Sequence, residues 1–82
     1  MTEIKIQMQN LQDVLYFNRV INDISCECDL SSISRRLITD AKSLLGTLSM
    51  NFRDILILEI YSDDPNEIYK IKQALQKYIV KL

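Results

Sequence analysis

The clearest candidate for chemistry in this sequence is a serine at the start of an apolar segment. Ser43 stands immediately before Leu44 and Leu45. A serine in that place is typical of a helix N-cap, where its hydroxyl accepts a hydrogen bond from a free amide of the first turn. A phosphate on such a hydroxyl would meet the same free amides and the positive end of the helix dipole. Taken by itself, this pattern predicts the N-cap of a short connector helix that covers one end of the core.

Two cysteines and three acidic residues also suggest chemistry, but each group has a simpler structural interpretation. Cys26 and Cys28 are separated by one residue, so on a strand they share one face. A metal site would need two further ligands, and a sequence without histidine does not readily supply them. We interpret both thiols as small buried side chains. The carboxylates of Asp63, Asp64 and Glu67 could suggest a cation site, but helix capping explains them better.

The composition excludes several classes of function. A sequence with no histidine, no glycine-rich phosphate loop and no cysteine in a basic setting predicts neither catalytic residues nor a cofactor, so we expect no enzyme. A net charge of −1 gives no electrostatic basis for binding nucleic acid or an anionic membrane. The longest apolar run, 55–58, is far shorter than the roughly 20 residues of a membrane helix. The N-terminus has no signal-peptide profile, and we expect a cytoplasmic protein.

The elements that must position Ser43 are predicted from hydrophobic periodicity. The length of 82 residues predicts a single domain over 1–82. Residues 2–8 alternate as a half-buried strand, and 11–24 repeat at helical spacing with Asn10 as the N-cap. A second strand over 25–31 places Cys26, Cys28 and Leu30 inward. A short turn then leads to an antiparallel strand over 35–41, for which we favour Leu37, Thr39 and Ala41 as the inward set.

The second half of the sequence is predicted in the same way. A short helix runs from Ser43 to about Met50, with Gly46 inside it as a mark of close backbone approach or of low stability. Residues 55–61 are apolar on both faces, as expected of a central strand. Asp64, Pro65 and Glu67 then form a helix start with an Asp variant of the capping box. The apolar stripe of this last helix comprises Ile68, Ile71, Leu75, Tyr78 and Ile79.

The resulting order is β-α-β-β-α-β-α. Strands with one polar face and helices with one apolar stripe are both satisfied when the helices cover one side of an antiparallel sheet. We therefore predict an α+β open-faced sandwich, with four antiparallel strands, three helices on one face and the other sheet face open to water.

The segment Ala41-Lys42-Ser43-Leu44-Leu45-Gly46-Thr47-Leu48-Ser49-Met50 resembles the segment around the regulatory serine of HPr, the histidine-containing phosphocarrier of the bacterial sugar phosphotransferase system. The order of predicted elements also agrees over nearly the whole chain. The resemblance implies the HPr-like fold. It also implies a carrier histidine, followed by an arginine and a proline, between the first strand and the first helix. Here that junction reads Met-Gln-Asn-Leu-Gln-Asp over residues 8–13, so phosphate transfer through histidine is not available.

The regulatory serine of the family corresponds to Ser43. The resemblance implies that an ATP-dependent HPr kinase phosphorylates it and that a transcriptional regulator of carbon catabolism binds the product. The family also contacts partners through the apolar residues of this helix, which here are Leu44, Leu45 and Leu48, and Lys42 could help to hold a phosphate. The sequence thus predicts a non-catalytic regulatory or protein-binding module.

Two further interpretations remain open. Ile55, Ile57 and Tyr61 would lie on the open sheet face, with Ile38 near them, and an exposed apolar patch there would support a homodimer or another protein partner. The alternative function is an ACT-like domain for small-molecule sensing or dimerisation. ACT-like domains have a similar layer arrangement but lack a helix at the position of Ser43. A structural subunit of a larger assembly is the third possibility.

Overall fold

A computed structural model of the chain describes residues 1–81. Its elements, in chain order, are strand β1 (Thr2–Ile6), helix α1 (Leu11–Asn22), strands β2 (Glu27–Ser32) and β3 (Ile38–Asp40), helix α2 (Leu44–Ser49), strand β4 (Leu56–Tyr61), helix α3 (Pro65–Ala74) and a 3₁₀ turn (Gln76–Tyr78). The strands form one sheet in the order β1-β4-β2-β3, and every neighbouring pair is antiparallel. The predicted α+β fold is confirmed.

The two central strands are β4 and β2, and they separate a core face from an outer face of the sheet. Leu56, Leu58 and Ile60 of β4 lie on the core face and are at most 2% exposed. Their partners across β2 are Ser32, Leu30 and Cys28, respectively. The intervening residues of β4 point to the other side, which we call the sheet face. The helices pack their apolar stripes on the core face because this buries both surfaces together. The core includes Val14, Phe17 and Ile21 of α1 and Ile71 of α3.

The predicted helix starts are confirmed at all three helices. Asn10 Oδ1 accepts from the Asp13 amide at 2.9 Å, Ser43 Oγ from the Gly46 amide at 3.0 Å and Asp64 Oδ1 from the Asn66 amide at 2.9 Å. The predicted capping box of α3 is not formed, since the Glu67 carboxylate accepts instead from the Ser25 hydroxyl at 2.9 Å. Glu67 therefore links α3 to the chain before β2.

The last helix ends earlier than predicted. α3 stops at Ala74, and after the 3₁₀ turn the chain extends along the outer edge of β1. There the Gln7 amide donates to the Tyr78 carbonyl at 2.9 Å, and the Val80 amide donates to the Lys5 carbonyl at 2.8 Å. Leu75 and Tyr78 remain buried as predicted. Ile79 leaves the helical stripe because it forms a bridge with Ile6 of β1.

The third strand is shorter than predicted, and one of its assigned directions was wrong. Thr39 lies opposite Leu30 on the core face, and Ala41 is fully buried, as predicted. Leu37 precedes the strand and is 57% exposed, because the chain is still turning there. A three-residue edge strand follows from this longer turn. Within residues 1–81, the structure has no helix with the length and apolar character needed to cross a membrane.

Candidate functional site around Ser43

Ser43 is half-buried and fixed by hydrogen bonds from its backbone and side chain. Its amide donates to the Asp40 carbonyl at 2.9 Å, which closes the turn between β3 and α2. Its carbonyl accepts from the Thr47 amide and from Thr47 Oγ1, both at 3.0 Å. Together with the cap bond to Gly46, these contacts place the Ser43 hydroxyl at the amide end of α2.

Gly46 allows α2 to lie directly against β3. A Cβ atom at this position would stand 1.9 Å from Thr39 Oγ1 and 3.0 Å from Thr39 Cβ, closer than real contacts allow. The close backbone approach suggested by the sequence is therefore present, and Thr39 is the residue approached. Because Thr47 is fully buried on the same helix, α2 is anchored on two sides despite its short length.

Lys42 lies beside Ser43 but is held elsewhere. Its ammonium group donates to the Ile24 carbonyl at 2.9 Å. Its own carbonyl accepts from the side-chain amides of Asn18 and Asn22 at 3.2 and 3.1 Å. Lys42 thus connects α1 to the start of α2, and its charge is not directed toward the Ser43 hydroxyl.

The leucines of α2 divide between core and surface. Leu44 packs partly against the core, whereas Leu45 is 81% exposed and Leu48 is 37% exposed. Leu11 and Leu15 of α1 are also exposed, at 52% and 46%. They share a helix face with Asn18, which bonds to the start of α2, so they lie on the side of α1 turned toward α2. We call Leu11, Leu15, Leu45 and Leu48 the helix patch.

Leu11 and Leu15 are functional candidates that were not predicted from the sequence. The signal for them was present, because they stand outside the buried stripe of Val14, Phe17 and Ile21. Two leucines on the polar side of an amphipathic helix are informative when they lie next to other exposed apolar residues.

The junction where a carrier histidine would stand is held by structural contacts. Met8 is fully buried, and its amide donates to the Phe52 carbonyl at 3.0 Å. The Gln9 carbonyl accepts from Arg53 Nε at 3.0 Å, and the Gln7 side chain donates to the Arg53 carbonyl at 2.6 Å. The junction is therefore tied to the loop before β4 and leads directly to the α1 N-cap.

The sheet face does not carry the exposed apolar patch that the sequence predicted. Ile57 does lie on this face, but it is only 6% exposed. Ile55 precedes β4 and is half-buried. Tyr61 is 45% exposed, and its hydroxyl lies 2.9 Å from Glu59 Oε2 and 3.0 Å from Asp29 Oδ2. Ile38 is also exposed, at 61%, so the exposed members Ile38 and Tyr61 are not joined by an exposed Ile57.

The Arg35 side chain extends across part of the sheet face. This residue has a φ of 60° in the turn before β3, a left-handed conformation that few non-glycine residues adopt. Its guanidinium group donates to Glu59 and, at 2.8 Å, to Glu3 Oε2, so it crosses the sheet from the turn to β1. No signal in the sequence identified Arg35, because both of its partners are distant along the chain.

The pKa values on the sheet face follow from these bonds. Hydrogen bonds from Arg35 and then Tyr61 hold the pKa of Glu59 below its ordinary value. Hydrogen bonds to Glu59 and Asp29 raise the pKa of Tyr61 to about 12. The ion pair with Arg35 and the hydrogen bond from Tyr61 thus stabilise the same carboxylate, that of Glu59. We call the group formed by Glu3, Asp29, Arg35, Glu59 and Tyr61 the sheet network.

The cysteines lie apart from both surfaces. Cys28 is 1% exposed, and burial together with the neighbouring Cys26 raises its pKa to about 12. Cys26 is only partly buried, which corrects the prediction that both are interior, and burial and Glu67 raise its pKa as well. Thiols with raised pKa values are weak nucleophiles at neutral pH.

Comparison with known proteins supports the architecture. Neither models of protein families nor curated protein sequences gave a match. Among solved structures, the chain is similar to the crystal structure of HPr-C-His from Thermoanaerobacter tengcongensis, with a TM-score of 0.72 and 16% sequence identity. The similarity covers 94% of this chain and 93% of that one. At this level of identity the comparison concerns the fold, and the chain has the HPr-like fold.

Proposed function

We propose that this protein is a non-catalytic, HPr-like regulatory module that binds a protein partner through the helix patch and is controlled by phosphorylation of Ser43. The observation that carries this proposal is the position of the Ser43 hydroxyl, at the amide end of a helix whose first turn presents Leu45 at 81% exposure. The proposed phosphorylation site and the nearest leucine of the helix patch are thus two residues apart in the sequence.

The helix patch is suited to a partner because it is apolar, exposed and rigidly mounted. Exposed apolar residues that lie together on one surface commonly mark a protein interface. Asn18, Asn22 and Lys42 join α1 to the start of α2, and Gly46 brings α2 onto β3. A partner would therefore find these leucines already ordered, which lowers the entropic cost of association.

Phosphate on Ser43 would act through charge. The amides of Leu44 and Leu45 lie in the first helical turn, where amides have no acceptor within the helix. Those amides favour a phosphate, whereas Lys42 is bonded to Ile24 and Asp40 brings a carboxylate into the same turn. We infer that the modification is held by backbone amides and adds negative charge beside the leucines. Binding of a partner with a basic group at that place would then depend on phosphorylation.

The proposed role excludes a phosphocarrier. Phosphoryl transfer from phosphoenolpyruvate needs an imidazole nitrogen, and neither Asn10 nor Gln12 can form a phosphoramidate in its place. The resemblance to HPr names the partner classes that fit the serine route, an HPr kinase and a carbon-catabolite regulator. The ACT-like alternative is disfavoured by α2, because ACT-like domains have no helix between the third and fourth strands.

The test is incubation with an HPr kinase and ATP, followed by intact-mass spectrometry. We expect one phosphate on the wild-type protein and none on Ser43→Ala. Ser49→Ala is the matched control, because Ser49 is an exposed serine on the same helix, and it should accept one phosphate. Absence of phosphate on the wild type, with ordinary HPr modified in the same reaction, would refute regulation at Ser43.

A further inference from the structure

The two edges of the sheet differ in whether another segment of the chain covers them. The outer edge of β1 is covered by the segment after the 3₁₀ turn, through hydrogen bonds at Lys5 and Gln7. The outer edge of β3 has no such cover from any segment of residues 1–81, since β2 is the only strand paired with it. An uncovered strand edge is a template for pairing with another chain.

The register of β3 shows which backbone groups are available at this edge. The Ser32 amide donates to the Leu37 carbonyl at 3.0 Å, and the Ala41 amide donates to the Cys28 carbonyl at 2.9 Å. Along an antiparallel strand, the amide and carbonyl of one residue point toward the paired strand, and those of the next residue point away from it. Ile38 therefore directs both its amide and its carbonyl away from β2.

The side chains at this edge are complementary to a reversed copy of themselves. Arg36 and Leu37 lie in the bend that leads into β3, and the strand itself is formed by 38–40, so this segment has a positive charge at one end and the negative charge of Asp40 at the other. Ile38 stands at the centre with 61% exposure, and Leu37 is 57% exposed. Such an edge combines apolar residues with charges that attract when the strand meets an antiparallel copy.

We propose that a second copy of this chain pairs with the β3 edge, antiparallel and centred on Ile38. Each Ile38 amide then donates to the Ile38 carbonyl of the other copy, and the two side chains pack together. Arg36 of each copy, in the bend next to the strand, then lies near Asp40 of the other, and two ion pairs form across the two-fold axis. The two four-stranded sheets become one continuous sheet.

The charges that this pairing uses are available. Within residues 1–81, the Arg36 guanidinium has no ion pair, whereas Arg35 beside it is bonded to Glu3 and Glu59. Asp40 uses Oδ1 to accept from the Lys42 amide at 2.9 Å, which leaves Oδ2 for Arg36 of the second copy. Because a three-residue edge buries little area, the dimer belongs to the weak class below about 1,200 Å² and should depend on concentration.

Sedimentation velocity over a wide range of concentrations, with three charge variants, tests this proposal. The wild type should shift from monomer to dimer, and Arg36→Asp alone or Asp40→Arg alone should weaken that dimer by about tenfold, since each places like charges opposite one another. An equal mixture of the two variants should restore association, because all facing charges in the mixed dimer are opposite. Arg19→Asp, on the exposed surface of α1, should behave as the wild type.

Amide hydrogen exchange gives an independent readout of the register. At high concentration the Ile38 amide should gain protection, whereas the Thr39 amide, which faces β2, should not change. Thermal unfolding checks that each variant is folded, and Asp40→Asn, which keeps an acceptor for the Lys42 amide, replaces Asp40→Arg if the latter is unstable. A wild type that stays monomeric, or a dimer that neither variant weakens, would overturn the proposal.

Discussion

The helix patch and the sheet face differ in the exposure of their apolar side chains. On the helix side, Leu45 is 81% exposed although it lies on a short helix anchored to the rest of the fold. On the sheet side, Ile57 lies on the face without helices yet is only 6% exposed. The charged side chain of Arg35 crosses that face to Glu3 and Glu59. The open-faced sandwich is therefore closed where the sequence suggested a docking surface.

This difference supports the proposed assignment of binding to the helix patch and of stability to the sheet network. An exposed leucine contributes little to folding, so its position on an ordered helix supports the proposed role in binding. The sheet network joins the turn before β3 to strands β1, β2 and β4, which is consistent with a structural role for these side chains. Variants on either side of the molecule therefore test this difference.

Gly46→Ala should disrupt the packing of α2 against β3, which holds the α2 part of the helix patch in place. The added methyl group would meet Thr39 Oγ1, so α2 must move from β3, and we expect a loss of about 1–3 kcal/mol in the free energy of unfolding. Urea denaturation measures this loss. The matched control is the same change in a Thr39→Ala background, where the nearest atom is gone and the loss should be smaller. An equal loss in both backgrounds would show that the contact with Thr39 is not the cause.

Ser43→Ala should have the next largest effect on stability. It removes the acceptor of the Gly46 amide, and loss of such an N-cap typically costs about 1 kcal/mol. Ser49→Ala, near the other end of α2, should change the free energy of unfolding by less than about 0.5 kcal/mol. Chemical denaturation of both variants checks the difference. Equal effects would mean that the cap contributes nothing particular to α2.

Arg35→Gln should open the sheet face with a smaller loss at neutral pH, because Arg35 is partly exposed and its ion pairs are screened by solvent. The effect of this substitution should be clearest in the dependence of stability on pH. The pKa of Glu59 is lowered from 4.5, so this carboxylate stabilises the fold above that pH and loses its contribution as the pH falls below it. Thermal unfolding across this range should show a smaller acid loss in Arg35→Gln than in the wild type. Equal acid losses in the two proteins would show that the sheet network is not the origin of this pH dependence.

Leu45→Lys should have the smallest effect on folding. Because the side chain is 81% exposed, the free energy of unfolding should change by less than about 0.5 kcal/mol. Chemical denaturation checks this value against that of Gly46→Ala on the same helix. A large loss would mean that Leu45 supports the fold, and the helix patch would then lose its interpretation as a docking surface.

The fold was largely predictable from the sequence because its signals are local. Asn10, Ser43 and Asp64 are caps next to periodic apolar segments, and the doubly apolar strand β4 is central in the sheet. The end of α3 was less predictable, because Ile79 continues the helical spacing. Its pairing with Ile6 is a long-range interaction that periodicity does not reveal.

The surfaces were harder to predict than the elements. Strand alternation placed Ile57 on the sheet face, but it does not reveal that the Arg35 side chain crosses that face to Glu59 and Glu3. The same limit applied to Lys42, whose proximity to Ser43 in sequence suggested a phosphate contact, whereas its ammonium group reaches Ile24. In both cases a long, flexible side chain selected a partner that its own segment of sequence does not contain.

We propose that Ser43 is phosphorylated next to a docking surface, and because Leu45 lies two residues from Ser43, the kinase should also contact the helix patch. The most direct measurement is the initial rate of phosphorylation by an HPr kinase for the wild type, Leu45→Lys and Tyr69→Lys. Tyr69 is the matched control, since it is 63% exposed on α3, away from Ser43. We predict that Leu45→Lys lowers the rate by about tenfold or more, which is the usual scale of an interface anchor, and that Tyr69→Lys leaves it unchanged. Equal rates for all three proteins, or no phosphorylation of the wild type while ordinary HPr is modified, would contradict the account.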